Sequence, residues 1–222
     1  MTPIAAPHPT EHRANRLRQS LQDHSRAAYQ RAILGAAETI ILRDGFKHTK
    51  MADIAEAIGI SVGTLYNYFE NRDAVLKAII GYHAVRFQTL LEQPFDSDDP
   101  LLRLRQLITR VHGFVEENGE LLREYLKSNA DRLDPYNVSA WLSQDAYLEK
   151  VILRIEELLD QCTQSGRIRS DIRVPELTWS LRVMLQSLLM QWYRHPDGTS
   201  LQKRGDELVT LFFEGASTRG SL

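Results

Sequence analysis

The sequence is short of cysteine and of long apolar runs, and both shortages limit what the protein can be. Cys162 is the only cysteine, so no disulfide can form within the chain, and a thiolate zinc site is not expected. We interpret Cys162 as a small apolar core residue, with a redox-sensing thiol as the alternative. No apolar run approaches the ~20 residues of a membrane span, and the N-terminus lacks the charged-then-apolar order of a signal peptide. We therefore expect a cytoplasmic protein with no membrane partner.

The sequence also lacks a large excess of positive or negative charge, and it lacks common enzyme motifs. The formal net charge is −2 and 25% of the residues are charged, which are ordinary values for a globular protein. The sequence has no glycine-rich phosphate loop, no H-E-x-x-H and no G-x-S-x-G, and its histidines lack the spacing of metal ligands. We therefore expect no enzyme activity, no catalytic residues, no cofactor and no metal site.

What the sequence does contain is a pattern of two short helices joined by a tight turn, over residues 49–69. The first helix is indicated by apolar residues at the i, i+3, i+4, i+7 spacing of one buried face: Met51, Ile54, Ala55 and Ile58. Thr49 precedes this face as a predicted N-cap, and Gly59 follows it where helices commonly end in a left-handed residue. Ser61 is placed to cap a second helix. The pattern is that of a helix-turn-helix.

The second helix has one apolar side and one side suited to a nucleic acid. A rotation of about 100° per residue puts Leu65 and Phe69 on the core side and Gly63 and Asn67 opposite. The major groove of DNA admits a helix, and polar or methyl-bearing side chains near its N-terminus contact the base edges. We therefore predict DNA contact for this side of the helix. An ordinary pair of core helices is the alternative.

The pattern G-x3-T-x4-I-A-x3-G-x-S-x-G-x-L-Y-x-Y-F, which runs from Gly45 to Phe69, resembles the N-terminal domain of the TetR (tetracycline repressor) family of bacterial transcriptional regulators. The family often has lysine at the position of Arg72 and a basic residue at the position of Val62. The resemblance implies that Arg72 touches the DNA backbone. The predicted DNA-binding residues are Lys47, Thr49, Lys50, Ser61, Gly63, Thr64, Tyr66, Asn67, Tyr68, Arg72 and Lys77.

The remaining pattern is helical throughout, so we predict an all-α protein. We expect residues 1–28 to be a disordered or partly helical basic arm, residues 29–75 to be a three-helix DNA-binding domain with the helix-turn-helix, and residues 76–222 to be a larger helical domain that binds an effector and dimerises. The first fifty positions contain eight basic and four acidic residues, as expected for a DNA-binding end of the chain. The arm is interpreted either as a mobile tail or as a DNA contact.

The predicted helix from Pro175 to Arg194 is apolar nearly all round, so it must be covered on more than one side. A second subunit is the simplest cover, and a fully internal helix is the alternative. The resemblance implies a four-helix dimer seam, for which we predict Leu185, Leu188, Leu189, Trp192, Leu208, Leu211 and Phe212. Candidate effector-pocket residues are polar or aromatic side chains within apolar helices, with core packing or subunit contact as the alternative: His112, Tyr125, Trp141, Gln144, Tyr147, Trp179, Arg182 and Gln186.

These features predict a homodimeric transcriptional regulator that responds to a small molecule. The leading interpretation is a repressor that binds a near-palindromic operator and is released by the small molecule. Its predicted partners are double-stranded DNA, a second copy of the chain and an unidentified small-molecule effector. A constitutive repressor or an activator is an alternative within regulation. A helical enzyme or small-molecule carrier with a coincidental helix-turn-helix is the alternative outside it.

Overall fold

The computed structural model describes the backbone of residues 9–128, 146–194 and 198–214, and their side chains except 9–18, 21–23, 122, 125–128 and 146–148. Within these ranges the protein is all-α and contains no strand, as predicted. Numbered in chain order among the described residues, the helices are α1 (Pro9–Asp44), α2 (Met51–Ala57), α3 (Val62–Tyr66), α4 (Arg72–Glu92), α5 (Pro100–Glu117), α6 (Gly119–Ser128), α7 (Ala146–Gln164), α8 (Val174–Arg194) and α9 (Leu201–Glu214).

The chain divides into two compact units, Met1–Ile79 and Ile80–Leu222. The division falls within α4, the helix that also contains the predicted boundary after residue 75. In the first unit α1 packs against α2, and α2 packs against α3. The principal buried side chains of this unit are Ile33, Ala37, Ile40, Ile41, Ile54, Leu65, Phe69, Val75 and Ile79.

Helix α1 is much longer than its core-facing stripe. It begins at Pro9, so residues 9–28 are helical, while residues 1–8 of the predicted arm lie outside the described range. Helix α1 ends at Asp44, and Gly45 follows with a left-handed φ of 83°. Its amide donates to the Ile41 carbonyl at 2.9 Å, which closes the helix before the turn to α2.

Side-chain caps fix two of the later helix starts. The Asn71 side-chain oxygen accepts a hydrogen bond from the Ala74 amide at 2.8 Å and starts α4. The Asp99 carboxylate accepts from the Leu101 amide at 2.9 Å at the start of α5. Pro100 occupies the first turn of α5, where a missing N–H costs nothing.

The second unit is built around α5. This helix packs against α7 and α9, and α8 packs in turn against both of those helices. The main apolar core contains Phe87, Leu104, Leu107, Ile108, Phe114, Val151, Ile155, Leu158, Leu159, Leu181 and Val209. Polar contacts also join α5 to the start of α9: the Glu116 carboxylate accepts from the Ser200 hydroxyl at 3.0 Å and from the Gln202 amide at 3.1 Å.

Candidate nucleic-acid interface

The turn between α2 and α3 has the geometry that the sequence predicts. Gly59 has a left-handed φ of 70°, and the Ile60 amide donates to the Ala55 carbonyl at 3.0 Å. The Ser61 hydroxyl accepts from the Thr64 amide at 3.0 Å, which caps α3 as expected. The helix-turn-helix is therefore present at the predicted residues.

Helix α3 is amphipathic in the predicted sense. Leu65 is fully buried, and Phe69 is buried just beyond the helix end. Tyr66 is 51% exposed, and Gly63 and Asn67 are exposed as well. Thr64 is half-buried at the edge. We call the outward side, made of Gly63, Thr64, Tyr66 and Asn67, the recognition face.

The hydroxyl groups of Ser61 and Thr64, at the start of α3, form hydrogen bonds within the protein. The Ser61 and Thr64 hydroxyl oxygens lie 2.8 Å apart in a mutual hydrogen bond. Ser61 also caps the helix, so one of its lone pairs is committed to the Thr64 amide. A backbone phosphate or base edge would bind Thr64 by competing with this internal contact. The amide of Asn67 has donors and an acceptor on an exposed side chain, the combination that reads adenine edges in the major groove.

Thr49 does not act as the predicted N-cap. The cap position of α2 is Lys50, which makes no capping hydrogen bond with its side chain. Thr49 is instead only 2% exposed, and its hydroxyl donates to the Gly45 carbonyl at 3.0 Å. Its side chain therefore stabilises the turn between α1 and α2 and is not presented at the surface.

Arg72 also serves an internal role. Its guanidinium lies 4.7 Å from the Phe46 ring centre and donates to the Lys47 carbonyl at 3.0 Å. A carboxylate oxygen of Asp73 lies 3.7 Å from Nε. These contacts tie the start of α4 to the turn before α2. The side chain is still 37% exposed, so part of the guanidinium faces solvent.

The other residues that are predicted to contact DNA differ in how exposed they are. Lys47, Lys50 and Lys77 are exposed, and Tyr68 is half-buried. The Tyr68 ring centre is 5.9 Å from that of Tyr29, and the Arg26 guanidinium carbon is 5.4 Å from the same ring. The sequence placed Arg26 in the basic arm, interpreted as a mobile tail or a DNA contact, and did not predict that it and Tyr29 contact Tyr68. Their spacing from Ile33, seven and four residues back along one helix face, indicates the side of α1 on which they lie but not this contact.

The candidate effector-pocket residues do not lie together in the described part of the second unit. Trp179, Arg182 and Gln186 are exposed along one side of α8, and Trp179 is 65% exposed. His112 is 5% exposed, with its ring against Gly205 of α9. The other four candidates, Tyr125, Trp141, Gln144 and Tyr147, lie outside the described side chains.

Most predicted interface residues already pack within their own chain. Leu185, Leu208 and Phe212 lie against the main core, and Leu188 and Leu189 lie against a smaller cluster that contains Trp192. Trp192 is 7% exposed, beneath the Arg123 guanidinium at 4.6 Å. The apolar side chains that remain exposed on α8 and α9 are Trp179, Val183 and Leu211. The exposed side of α8 is therefore mixed, with Trp179 and Val183 among polar residues such as Arg182 and Gln186.

Two buried groups in this unit have shifted pKa values. Burial lowers the pKa of the His112 imidazole to about 4, against the opposing charge of Glu116. Nδ1 of His112 has no hydrogen-bond partner among the described residues. Burial raises the pKa of the Cys162 thiol to about 11, with a further upward contribution from Asp99. Cys162 has no exposed surface, which agrees with its interpretation as a core residue.

Neither a metal site nor a membrane-spanning helix occurs among the described residues. No three histidine, cysteine or acidic side chains there gather as a metal site would require. None of the described helices is long and apolar enough to cross a membrane.

Comparison with known proteins identifies the domain that contains the helix-turn-helix. Residues 33–79 match the family model for bacterial regulatory proteins of the tetR family. The chain is 29% identical to the uncharacterized HTH-type transcriptional regulator YvaF of Bacillus subtilis (strain 168) over 141 residues, which cover 62% of this chain and 70% of YvaF. It is 22% identical to the HTH-type transcriptional repressor KstR2 of Rhodococcus jostii (strain RHA1), covering 84% of this chain and 90% of KstR2.

A solved structure with the same fold is that of the transcriptional regulator FadR from Bacillus subtilis in complex with stearoyl-CoA. It has a TM-score of 0.57 and 17% identity, and the match covers 84% of this chain and 98% of FadR. At that identity the likeness shows the fold alone. The matched family model covers the whole helix-turn-helix, which is α2, α3 and the turn between them. Residues 33–79 are therefore a TetR-type DNA-binding domain, and the chain is similar in sequence to transcriptional regulators that carry it.

Proposed function

We propose that the protein is a homodimeric repressor that binds a near-palindromic operator through α3 and leaves it when a small molecule binds the helical unit. The observation that carries the proposal is the recognition face, which is polar and exposed on a helix whose opposite side is anchored by the fully buried Leu65. A helix held in this way presents a fixed set of side chains to the major groove. Asn67 would contact a base edge, and Tyr66 would contact a phosphate through its hydroxyl.

Dimerisation is supported by the uncovered apolar surface on the last two helices. Trp179 and Val183 share the exposed side of α8, and Leu211 is exposed on α9. A large exposed aromatic side chain beside other apolar residues is typical of a protein–protein contact. A second copy packed against this surface would cover it and would give two recognition helices related by two-fold symmetry. Those helices would enter successive major grooves, about 34–36 Å apart.

Release by a small molecule is supported by the relatives. The fold is shared with FadR of Bacillus subtilis, which holds stearoyl-CoA in its crystal structure, and the sequence is similar to the repressor KstR2. An effector acts by preferring one of two dimer states, with typical coupling of about 1–3 kcal/mol. Acyl-CoA thioesters are the first class to test. The pocket in this proposal includes His112 and the four candidates outside the described side chains, whereas Trp179, Arg182 and Gln186 belong to the exposed side of α8.

Selection of bound sequences from a pool of random duplexes tests the proposal. The expected product is an inverted repeat, because a two-fold dimer reads the same half-site twice. Binding should weaken steeply with salt, since each neutralised phosphate releases counterions. The operator complex should then dissociate when an effector is added. Failure to enrich any sequence, with folded protein at micromolar concentration, would refute operator binding.

A further inference from the structure

Helix α1 extends well beyond the core that it helps to form. The first buried side chain that the structure describes on α1 is Ile33, and the described side chains from there back to Gln19 are exposed, except the half-buried Gln30. At a rise of 1.5 Å per residue, the stretch from Gln19 to Ile33 is about 21 Å long. An isolated helix of this length is only marginally stable in water, so contacts within the protein or with a partner must stabilise it.

The extension is attached to the end of the recognition helix. Arg26 and Tyr29 lie seven and four residues before Ile33, so they continue the core-facing side of α1. The Tyr29 ring centre is 5.9 Å from that of Tyr68, and the Arg26 guanidinium carbon is 5.4 Å from it. Tyr68 follows α3 by two residues. This group of Arg26, Tyr29 and Tyr68 places a positive charge beside the residue that lies two positions after the end of α3.

Arg26 presents a positive charge at the surface of α1. Arg26 is exposed, and among the residues that the structure describes it has no carboxylate partner. A contact with the face of a ring does not use the five N–H donors of a guanidinium, so they stay open to an acceptor. A planar, fixed fork of donors beside a major-groove helix fits a phosphate of the DNA backbone.

We propose that Arg26, held by Tyr68, binds a backbone phosphate, so that the DNA interface includes the N-terminal extension of α1. The inference rests on the proposed operator binding and adds a contact outside the helix-turn-helix. A phosphate contact fixes the position of the protein on the duplex and does not read sequence. Arg26 should therefore contribute equally to binding of operator and of random DNA.

The test is the salt dependence of affinity for Arg26→Gln, measured by fluorescence anisotropy on the selected operator and on a scrambled duplex. The slope of log affinity against log salt concentration should fall in magnitude by about 0.9, the value for one lost phosphate contact. Arg26→Lys keeps the charge and should keep the slope. The matched control is Arg31→Gln, which removes the same charge about 140° around α1, and it should leave the slope close to that of the unaltered protein.

The outcomes separate this inference from the proposed function. If the unaltered protein binds no duplex, operator binding itself fails, and the inference fails with it. If the unaltered protein binds its operator and Arg26→Gln has the same salt slope, only the phosphate contact of Arg26 is refuted. A lower melting temperature for Arg26→Gln with an unchanged slope is also contrary to the proposal, since it would show that Arg26 only stabilises Tyr68.

Discussion

Asn67 and Tyr66 are neighbours at the end of α3, and both are exposed, yet their chemistry fits different parts of a duplex. The Asn67 amide both donates and accepts, as needed for a bidentate contact with a base. The Tyr66 hydroxyl suits a phosphate oxygen, which is the same at every sequence. Sequence alone could place both side chains outward, because helical spacing fixes the side that each residue takes once Leu65 is in the core, whereas the two roles stay predictions.

Substitution of Asn67 should separate sequence reading from general affinity. Asn67→Ala should lose about 1–3 kcal/mol of binding free energy on the operator and little on random DNA, because only the operator supplies the matching base edge. Tyr66→Phe is the matched control, and it should weaken both duplexes alike. Both are measured by fluorescence anisotropy at one salt concentration. Equal losses on the two duplexes for Asn67→Ala would remove its assignment as a base contact.

His112 should make stability depend on pH. Burial lowers its pKa to about 4, so between pH 6.5 and 4 the unfolded chain binds a proton that the folded protein does not. The free energy of unfolding contributed by this group is therefore complete above pH 6.5. It falls by about 3 kcal/mol as the pH drops to 4, at 1.36 kcal/mol per pKa unit.

The measurement is urea unfolding at several pH values for the unaltered protein and for His112→Phe. Phenylalanine is of similar size and does not titrate, so the variant should lack this part of the pH dependence. Parallel pH profiles for the two proteins would show that the buried imidazole is not the source.

At the scale of whole elements, the all-α fold and the helix-turn-helix were predictable because they follow from local rules. Gly59 and Ser61 carry their conformations and capping bonds within a few residues. Thr49 was misassigned because a capping hydroxyl and one that bonds back to the preceding turn look alike in sequence, and the Thr49 hydroxyl donates to the Gly45 carbonyl. The contact of Arg26 with Tyr68 joins residues far apart in the chain, and spacing alone cannot reveal such a contact.

The junction of α5 and α6 depends on a glycine for close packing. A methyl group on Gly119 would overlap the Trp192 ring, whose Cζ3 atom would be 3.2 Å from it. That ring is buried and lies beneath Arg123, so it has little freedom to move. Gly119→Ala should therefore lower the free energy of unfolding by about 1–3 kcal/mol.

The matched control for this prediction is Gly81→Ala in α4. Gly81 is exposed, and a methyl group there would meet nothing within 4 Å. The control should gain about 0.5–1 kcal/mol from the better helix propensity of alanine. Thermal or urea unfolding checks both variants, and a stabilised Gly119→Ala protein would contradict the packing described at this junction.

At the scale of the whole molecule, the account depends on the pairing of two chains. The sequence indicated that α8 had more apolar surface than one domain covers, and the structure leaves Trp179 and Val183 exposed on it. Which residues lie uncovered could not be predicted, since Leu188, Leu189 and Trp192 pack within their own chain. The apolar residues of several helices can pack into the same core. The periodicity of one sequence does not show which side of each helix is buried there.

A charge placed on the uncovered surface should prevent pairing. Leu211 is 47% exposed, so Leu211→Glu should leave the chain folded while a buried, unpaired carboxylate opposes association. Leu153→Glu places the same charge on an exposed leucine of α7 and serves as the control. Light scattering should give the mass of one chain for Leu211→Glu and of two chains for the control. A dimer in both cases would place the interface elsewhere.

The most direct test of paired recognition helices is the affinity for the selected operator compared with one whose half-sites are moved apart by five base pairs. Half a helical turn puts the second half-site on the opposite side of the duplex, out of reach of a two-fold dimer. The account predicts that affinity falls to the level of a single half-site. Equal affinity for the two duplexes would contradict it.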